Sequence, residues 1–312
     1  MRILFHVTPQ HLASDGEVAG LFYRNLWADF AAAGFRVAAV RRDLSDLAGL
    51  EDPGQFHFVH NGRVQHPRVL NTGYGYLGGY WYADPKGVFA DSSISDQIFD
   101  PAKVRYKPAS AFFARMVRKL VQPRHSRYNQ PMDVRQFPAG AIAVFLQGTS
   151  DPVDRARHVG ASAMVEAVLA HRKGRPVIVK PHPGNQDAET GQIIARLRAE
   201  APEVIVTDAN IHDILAAAAV TVSICSAACL EGMLHRKPAV LFGRTDFHHC
   251  AQTVQRPGDW PGALERALCQ PVPYRKYLYW FFEQNLIDAK GASRFDRILA
   301  RIERQGGGSS AP

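Results

Sequence analysis

Cysteine is scarce, and what there is does not pair. The chain has 312 residues and four cysteines, Cys225, Cys229, Cys250 and Cys269, with no Cys-x-x-Cys spacing among them, which argues against a zinc module or a disulfide framework. Cys225 and Cys229 lie one helical turn apart among apolar neighbours, the usual setting of buried thiols. Long apolar runs are missing too. None approaches the ~20 residues of a membrane-spanning helix, and Met1-Arg2-Ile3-Leu4-Phe5-His6-Val7 is too short and too soon polar for a signal peptide. A cytoplasmic protein is expected, at most touching the inner face of the membrane. The loop after the first strand lacks a Gly-x-Gly-x-x-Gly fingerprint, so no dinucleotide is expected there. No nucleic-acid motif is found, and nucleic acid is not expected as a partner.

What is present is enough hydrophobic content, 46%, for one large core or two cores of about 150 residues each. A net charge of +8 and a pI near 9.4 favour anionic partners. The densest basic stretch runs from Lys103 to Arg135, with Phe112, Phe113, Met116, Val117 and Leu120 supplying an apolar stripe. Such a helix suits either an anionic membrane surface or the solvated flank of a cleft.

The most informative stretch runs from Arg175 to His249. Pro176-Val177-Ile178-Val179 reads as a buried strand that stops at Lys180-Pro181-His182-Pro183, where prolines forbid both ladder and helix. Val220-Thr221-Val222-Ser223-Ile224 is a second strand, and small-residue helical spacing follows from Cys225 to Leu234. That spacing puts Ser226 near a helix N-terminus, where unpaired N–H groups favour anions. Lys237-Pro238-Ala239-Val240-Leu241-Phe242-Gly243 closes the unit with a third strand. In an open α/β sheet, loops at the carboxyl ends of strands line one crevice, so Lys180, His182 and Ser226 are expected to meet one phosphate-bearing ligand.

Upstream, Ile3 to Val7 reads as a strand, Thr8 to Gly16 as a turn-rich loop, Glu17 to Ala33 as a helix ended by Gly34, and Val37 to Val40 as a strand. This opens a doubly wound domain. From Asn71 to Ser93 glycines alternate with aromatics, including Tyr74, Tyr76 and Trp81. The alternation predicts exposed rings suited to stacking on sugar. Phe137-Pro138-Ala139-Gly140 resembles an interdomain boundary, giving domains 1–138 and 139–290 and a C-terminal helix and disordered tail over 291–312. The strand Ala141 to Leu146 ends in Gln147-Gly148-Thr149-Ser150-Asp151-Pro152. Asp151 can be a nucleophile, a base, or an N-cap for the helix expected around Ser162 to Arg172.

Gln147-x-x-x-Asp151, Lys180-Pro181-His182-Pro183, Ser223-x-x-Ser226 with Glu231, and Lys237-Pro238 with Gly243 together resemble the capsule polysaccharide family of retaining β-Kdo glycosyltransferases. The likeness covers roughly residues 140–285, and Gly73 to Ser93 more faintly resembles that family's acceptor segment, without the acidic residue expected near Asn71 or Thr72. The resemblance implies a GT-B fold, two Rossmann-like domains facing across a cleft. The first would hold an oligosaccharide or lipid-linked acceptor through Tyr74, Tyr76 and Trp81, and the second a CMP-Kdo donor. It also implies that Tyr277 to Phe282 and the helix beyond cross back to the first domain. Lys180, His182, Pro183, Ser223 and Ser226 would then line the donor site, with Glu231 either on the ribose or solvating its helix. Asp151 would be the nucleophile and Gln147 its positioning partner, with no metal or other cofactor.

Two other readings are weighed. A CDP-polyol phosphotransferase of the teichoic-acid type also carries a Lys-x-His-Pro strand end, but Ile224-Cys225-Ser226-Ala227 stands where its Asp-Tyr-Ser-Ser signature would be. A non-catalytic glycan-binding export subunit would use the aromatics of 74–82 but gives no reason for Asp151 beside a phosphate site.

Overall fold

The computed structural model describes all residues except 14–16, 48, 185–186 and 307–312, and Asp151 in backbone only; the tail expected to be disordered thus lies largely outside the described residues. The chain begins with β1 (Arg2–Val7), α1 (Leu21–Ala32), β2 (Arg36–Arg41), β3 (Gln55–His60), β4 (Val69–Tyr74) and β5 (Tyr80–Asp84). Next come α2 (Tyr106–Met116), β6 (Ala141–Phe145), α3 (Asp151–Ala156), α4 (Ala161–Ala170), β7 (Val177–Lys180), α5 (Ala188–Glu200) and β8 (Ile205–Val206). They are followed by α6 (Ile211–Ala217), β9 (Ala218–Ser223), α7 (Ala228–Leu234), β10 (Ala239–Leu241), β11 (Ala251–Thr253), α8 (Trp260–Cys269), α9 (Tyr274–Tyr279), β12 (Ile287–Asp288) and α10 (Arg294–Arg304).

These elements form two compact α/β units. The first comprises Met1–Gly75, Gly79–Gln97 and the chain from Phe281 onward, and the second Tyr76–Gly78 and Ile98–Trp280. In the first unit the sheet order is β12-β5-β4-β3-β1-β2, with β2, β1, β3 and β4 parallel, β5 antiparallel to β4, and β12 antiparallel to β5. Ile3, Phe5 and Val7 alternate onto one face and pack with Phe22, Leu26 and Phe30 of α1, because successive strand side chains point to opposite faces. Helix α1 starts at Leu21, later than its periodicity predicts, since Gly20 has φ +87° and Val18 is paired with Leu12. Ile298 and Ile302 of α10 complete this core, and the Arg301 guanidinium donates to the carbonyls of Ala83 and Asn285.

The second unit holds a sheet of order β11-β10-β9-β6-β7-β8, parallel throughout. Its strands are buried on both faces: Ile142 and Val144 join one core, Ala141, Ala143 and Phe145 the other. That is why they read in sequence as continuous apolar runs.

Residues 98–138 were expected in the first domain, but they pack in the second unit. The proline and glycine at 138–140 make a turn before β6 instead of a boundary between the units. The apolar stripe of the basic stretch is placed by the same packing. Phe112, Phe113, Met116 and Leu120 are buried, with the Phe112 ring edge-on to Tyr279 of α9 at 6.0 Å. The apolar face is spent on the protein's own core and is not available to a membrane. No helix among the described residues is long and apolar enough to cross one.

Candidate functional site

Parallel strands with short loops bring the predicted motifs to one sheet edge. Phe145 of β6 is in register with Lys180 on one side and Ser223 on the other, which puts those two about 10 Å apart at one level. Two residues beyond each lie Gln147, His182 and Cys225. The Gln147 side chain uses this alignment: its Oε1 accepts from the Cys225 backbone N–H at 2.9 Å, tying the loop after β6 to the turn after β9. Thr149 N–H donates to Asp187 Oδ2 at 2.6 Å, and Asp187 also caps α5 through Thr190 N–H. Partial burial pushes the Asp187 carboxyl up, but these Thr190 and Thr149 bonds outweigh it and hold the group well below the usual carboxylate range.

Asp151 opens helix α3, so it is not an N-cap for the helix that begins at Ala161; its side chain lies outside the described atoms. The far end of α3 is docked on the tip of β10. His158 N–H donates to the Phe242 carbonyl at 2.9 Å and Arg244 N–H to the Ala156 carbonyl at 2.7 Å. Gly243 allows this approach, since a Cβ there would sit 2.9 Å from the Ala156 carbonyl oxygen. Gly232 does the same for α7, where a Cβ would lie 2.7 Å from the Thr221 methyl.

The predicted donor residues divide into buried and open groups. Lys180 is 5% exposed, and its ammonium donates to the Asp208 and Ala209 carbonyls, each at 2.7 Å. Burial lowers its pKa, with Asp208 and Glu231 countering. The expected strand-tip phosphate ligand is therefore largely turned inward, with two of the three ammonium donors holding the loop before α6. Ser223 is also a correction. Fully buried, it accepts from Ser226 N–H at 3.0 Å and lies 3.2 Å from Cys229 Sγ, so it shapes the turn without facing solvent. Ser226 is half-buried and accepts from Ala228 N–H at 3.2 Å. His182 is half-buried with Pro183 exposed beside it; burial, then the charges of Arg127 and Lys180, keep its imidazole neutral. Burial pushes the Cys225 thiol up to about 11, so it is no nucleophile at neutral pH.

Glu231 does not solvate its helix. It is 4% exposed, burial raises its pKa to about 7 against the opposing Ser126 bond and Lys180 charge, and its Oε2 has no hydrogen-bond partner.

Residues 153–269 match the sequence pattern of a family described as capsule polysaccharide biosynthesis protein. The matched residues all lie in the second unit. Gln147 and Asp151 lie just before the matched residues. No curated protein sequence matches the chain. Among solved structures, the β-Kdo 2,4 transferase of Thermosulfurimonas dismutans KpsC is similar over 96% of this chain and 97% of its own, with 16% identity and TM-score 0.58. The β-Kdo 2,7 transferase of the same KpsC is similar over 97% and 99%, with 14% identity and TM-score 0.57. At these identities the likeness establishes the fold, a GT-B-like pair of parallel-sheet units.

Of the predicted acceptor residues, Tyr76 and Trp81 are buried and Tyr74 is half-buried. Trp81 is 8% exposed and stacks on Phe22 at 4.5 Å with planes 5° apart; Tyr74 meets it edge-on at 5.6 Å. Tyr76 is 6% exposed and donates to Asp246 Oδ1 at 2.9 Å. Glycine here serves tight backbone approach instead of exposure, for a Cβ on Gly75 would lie 2.9 Å from the Tyr80 carbonyl oxygen. Sequence reasoning also missed a segment of the second unit, residues 124–131, that lies against the site. Asn210 Nδ2 donates to the Arg124 and Pro131 carbonyls, Arg124 pairs with Asp213 at 2.7 Å, and Ser126 donates to Glu231. No period or motif marks those residues, whereas Asp187 three residues before Thr190 was a readable capping signal.

Among the described residues no group of His, Cys, Asp or Glu side chains is arranged to hold a metal ion.

Proposed function

We propose that the chain is a retaining glycosyltransferase that moves Kdo from CMP-Kdo to a growing surface glycan, an oligosaccharide or a lipid-linked acceptor. The observation that carries this reading is that the loops after β6, β7 and β9, which hold Gln147, His182 and Ser226, leave one edge of a parallel sheet, with the first and third tied by the Gln147–Cys225 bond. The similarity to two β-Kdo transferases supports it.

A donor with a phosphate ester beside a carboxylate develops negative charge on the departing phosphate, and cations and polar donors fixed in advance stabilise that charge. His182 and Ser226 supply donors, and the buried Lys180 ammonium supplies positive potential. Glu231 takes the ribose. Asp151 attacks the anomeric carbon. A bond forms from its carboxylate oxygen as the carbon–phosphate-oxygen bond breaks, and the electron pair leaves with CMP. An acceptor hydroxyl then attacks the same carbon, loses its proton and releases the carboxylate, and two inversions give retention. Gln147 holds the loop that presents Asp151. A lipid-linked acceptor lies at an anionic membrane face, which suits the exposed Arg115, Arg118 and Lys119.

Incubation of the protein with CMP-Kdo and, separately, CMP-sialic acid, with CMP release followed, tests the reading. CMP release from CMP-Kdo alone is expected; release from neither donor, with or without glycan acceptors, contradicts it.

A further inference from the structure

Residues 124–131 have pinned flanks and an open tip. On one flank Arg124 bonds to Asp213 and its carbonyl accepts from Asn210, while the His125 carbonyl accepts from His212 Nε2 at 2.9 Å. On the other flank Gln130 accepts from Ile211 N–H and the Pro131 carbonyl accepts from Asn210. Ser126 is turned inward onto Glu231. Between these anchors Arg127, Tyr128 and Asn129 are exposed.

The tip is directed at the strand end that carries His182. The Tyr128 and His182 rings meet edge to face at 4.7 Å and 78°, and the Arg127 guanidinium carbon lies 5.6 Å from the Tyr128 ring centroid. Arg127 is also close enough to help depress the His182 pKa. Tyr128 is 40% exposed, and beside its ring Gly184 carries no side chain, the nearest position for a Cβ being 3.8 Å from the ring. A cation, an imidazole and an open aromatic ring are thereby gathered at the tip, with Ser126 beside them bonded to the buried Glu231. This is chemistry that recognises a nucleoside monophosphate: positive charge for the phosphate and a ring for the base.

Resting on the donor site described under the proposed function, we infer that the Ser126–Tyr128 tip completes that site, with Arg127 binding the phosphate of a pyrimidine nucleoside monophosphate and the Tyr128 ring carrying its base. The inward turn of Lys180, whose ammonium is held by two carbonyls, makes a second cation necessary at the phosphate, and Arg127 supplies it. Sequence reading left this basic stretch between a membrane surface and the flank of a cleft; its C-terminal part lies beside the motif histidine.

Calorimetric titration of the full chain with CMP, at low and at high salt, tests the inference. Arg127→Gln should weaken CMP about tenfold or more at low salt, as expected for loss of one charge-assisted phosphate contact, and should flatten the salt dependence. Tyr128→Ala should weaken CMP about tenfold with the salt dependence unchanged, as expected for a stacked base, and Tyr128→Phe should restore parental affinity. Both side chains are exposed, so thermal melting should match the parent. Parental CMP affinity in Arg127→Gln and Tyr128→Ala would overturn the inference while leaving the donor site intact. Absence of CMP binding by the parent would overturn the donor site and the inference together.

Discussion

Ser126 Oγ donates a 2.9 Å hydrogen bond to Glu231 Oε1 across 105 residues of sequence. The bond joins the segment after α2 to the helix after β9 and satisfies one oxygen of a buried carboxyl group. The other, Oε2, faces His212 Nε2 at 3.9 Å, beyond hydrogen-bond range, because that nitrogen donates to the His125 carbonyl. Tautomer follows: His212 Nδ1 must accept from His235 Nε2, 2.9 Å away. Both imidazoles are neutral, depressed by burial, to about 4 in the case of His235.

This burial predicts a pH dependence. Glu231 has a folded-state pKa near 7, above the ordinary 4.5, so the folded protein binds its proton more tightly than the unfolded chain. The stability it contributes is full below about pH 4.5, is lost as pH rises to about 7 and is level beyond, a change on the order of 3 kcal/mol. Glu231→Gln keeps a neutral group and should remove that slope. Urea unfolding of parent and variant across this range checks it, and equal slopes would contradict the assignment.

Trp81 should behave as a core residue. Stacked on Phe22 and ringed by Tyr23 and Tyr74, it should cost about 3–5 kcal/mol when replaced by alanine. Thermal unfolding of Trp81→Ala is the check. A parental melting temperature combined with impaired acceptor use would return Trp81 to a glycan-binding role.

Gly243 should matter through α3. Its missing Cβ lets the Ala156 carbonyl approach, and α3 is the helix that Asp151 opens. Gly243→Ala should displace that helix and lower turnover on the order of 10²-fold, with CMP affinity within about twofold of parent because the Lys180, His182 and Glu231 elements do not depend on this contact. Paired kinetics and CMP titration would show it, and an unchanged turnover would refute the positioning role.

The sheet of the second unit was legible because its strands are buried on both faces and end at proline, glycine or serine: β6, β7, β9 and β10 each appear within a few residues of where the apolar runs put them. The common level of Phe145, Lys180 and Ser223 at the ends of β6, β7 and β9 followed from parallel topology alone. Side-chain direction was not legible. A lysine at a strand tip reads the same whether its ammonium reaches a ligand or, as in Lys180, turns back to two carbonyls. The glycine-aromatic alternation of 71–82 misled because strand pairing decides which rings are covered, and partners as distant as Phe22 and Asp246 leave no local pattern. Residues 98–138 were assigned to the wrong unit since a Pro-Ala-Gly turn looks like a linker until the contacts on either side of it are known.

The proposed mechanism requires Asp151 to form a covalent bond to the transferred sugar. Intact-protein mass spectrometry of the parent with CMP-Kdo and no acceptor, beside Asp151→Asn treated alike, measures it most directly. One added Kdo on the parent, none on the variant, and CMP binding retained by both is the predicted result. An Asp151→Asn protein that transfers Kdo at near-parental rate would contradict the claim.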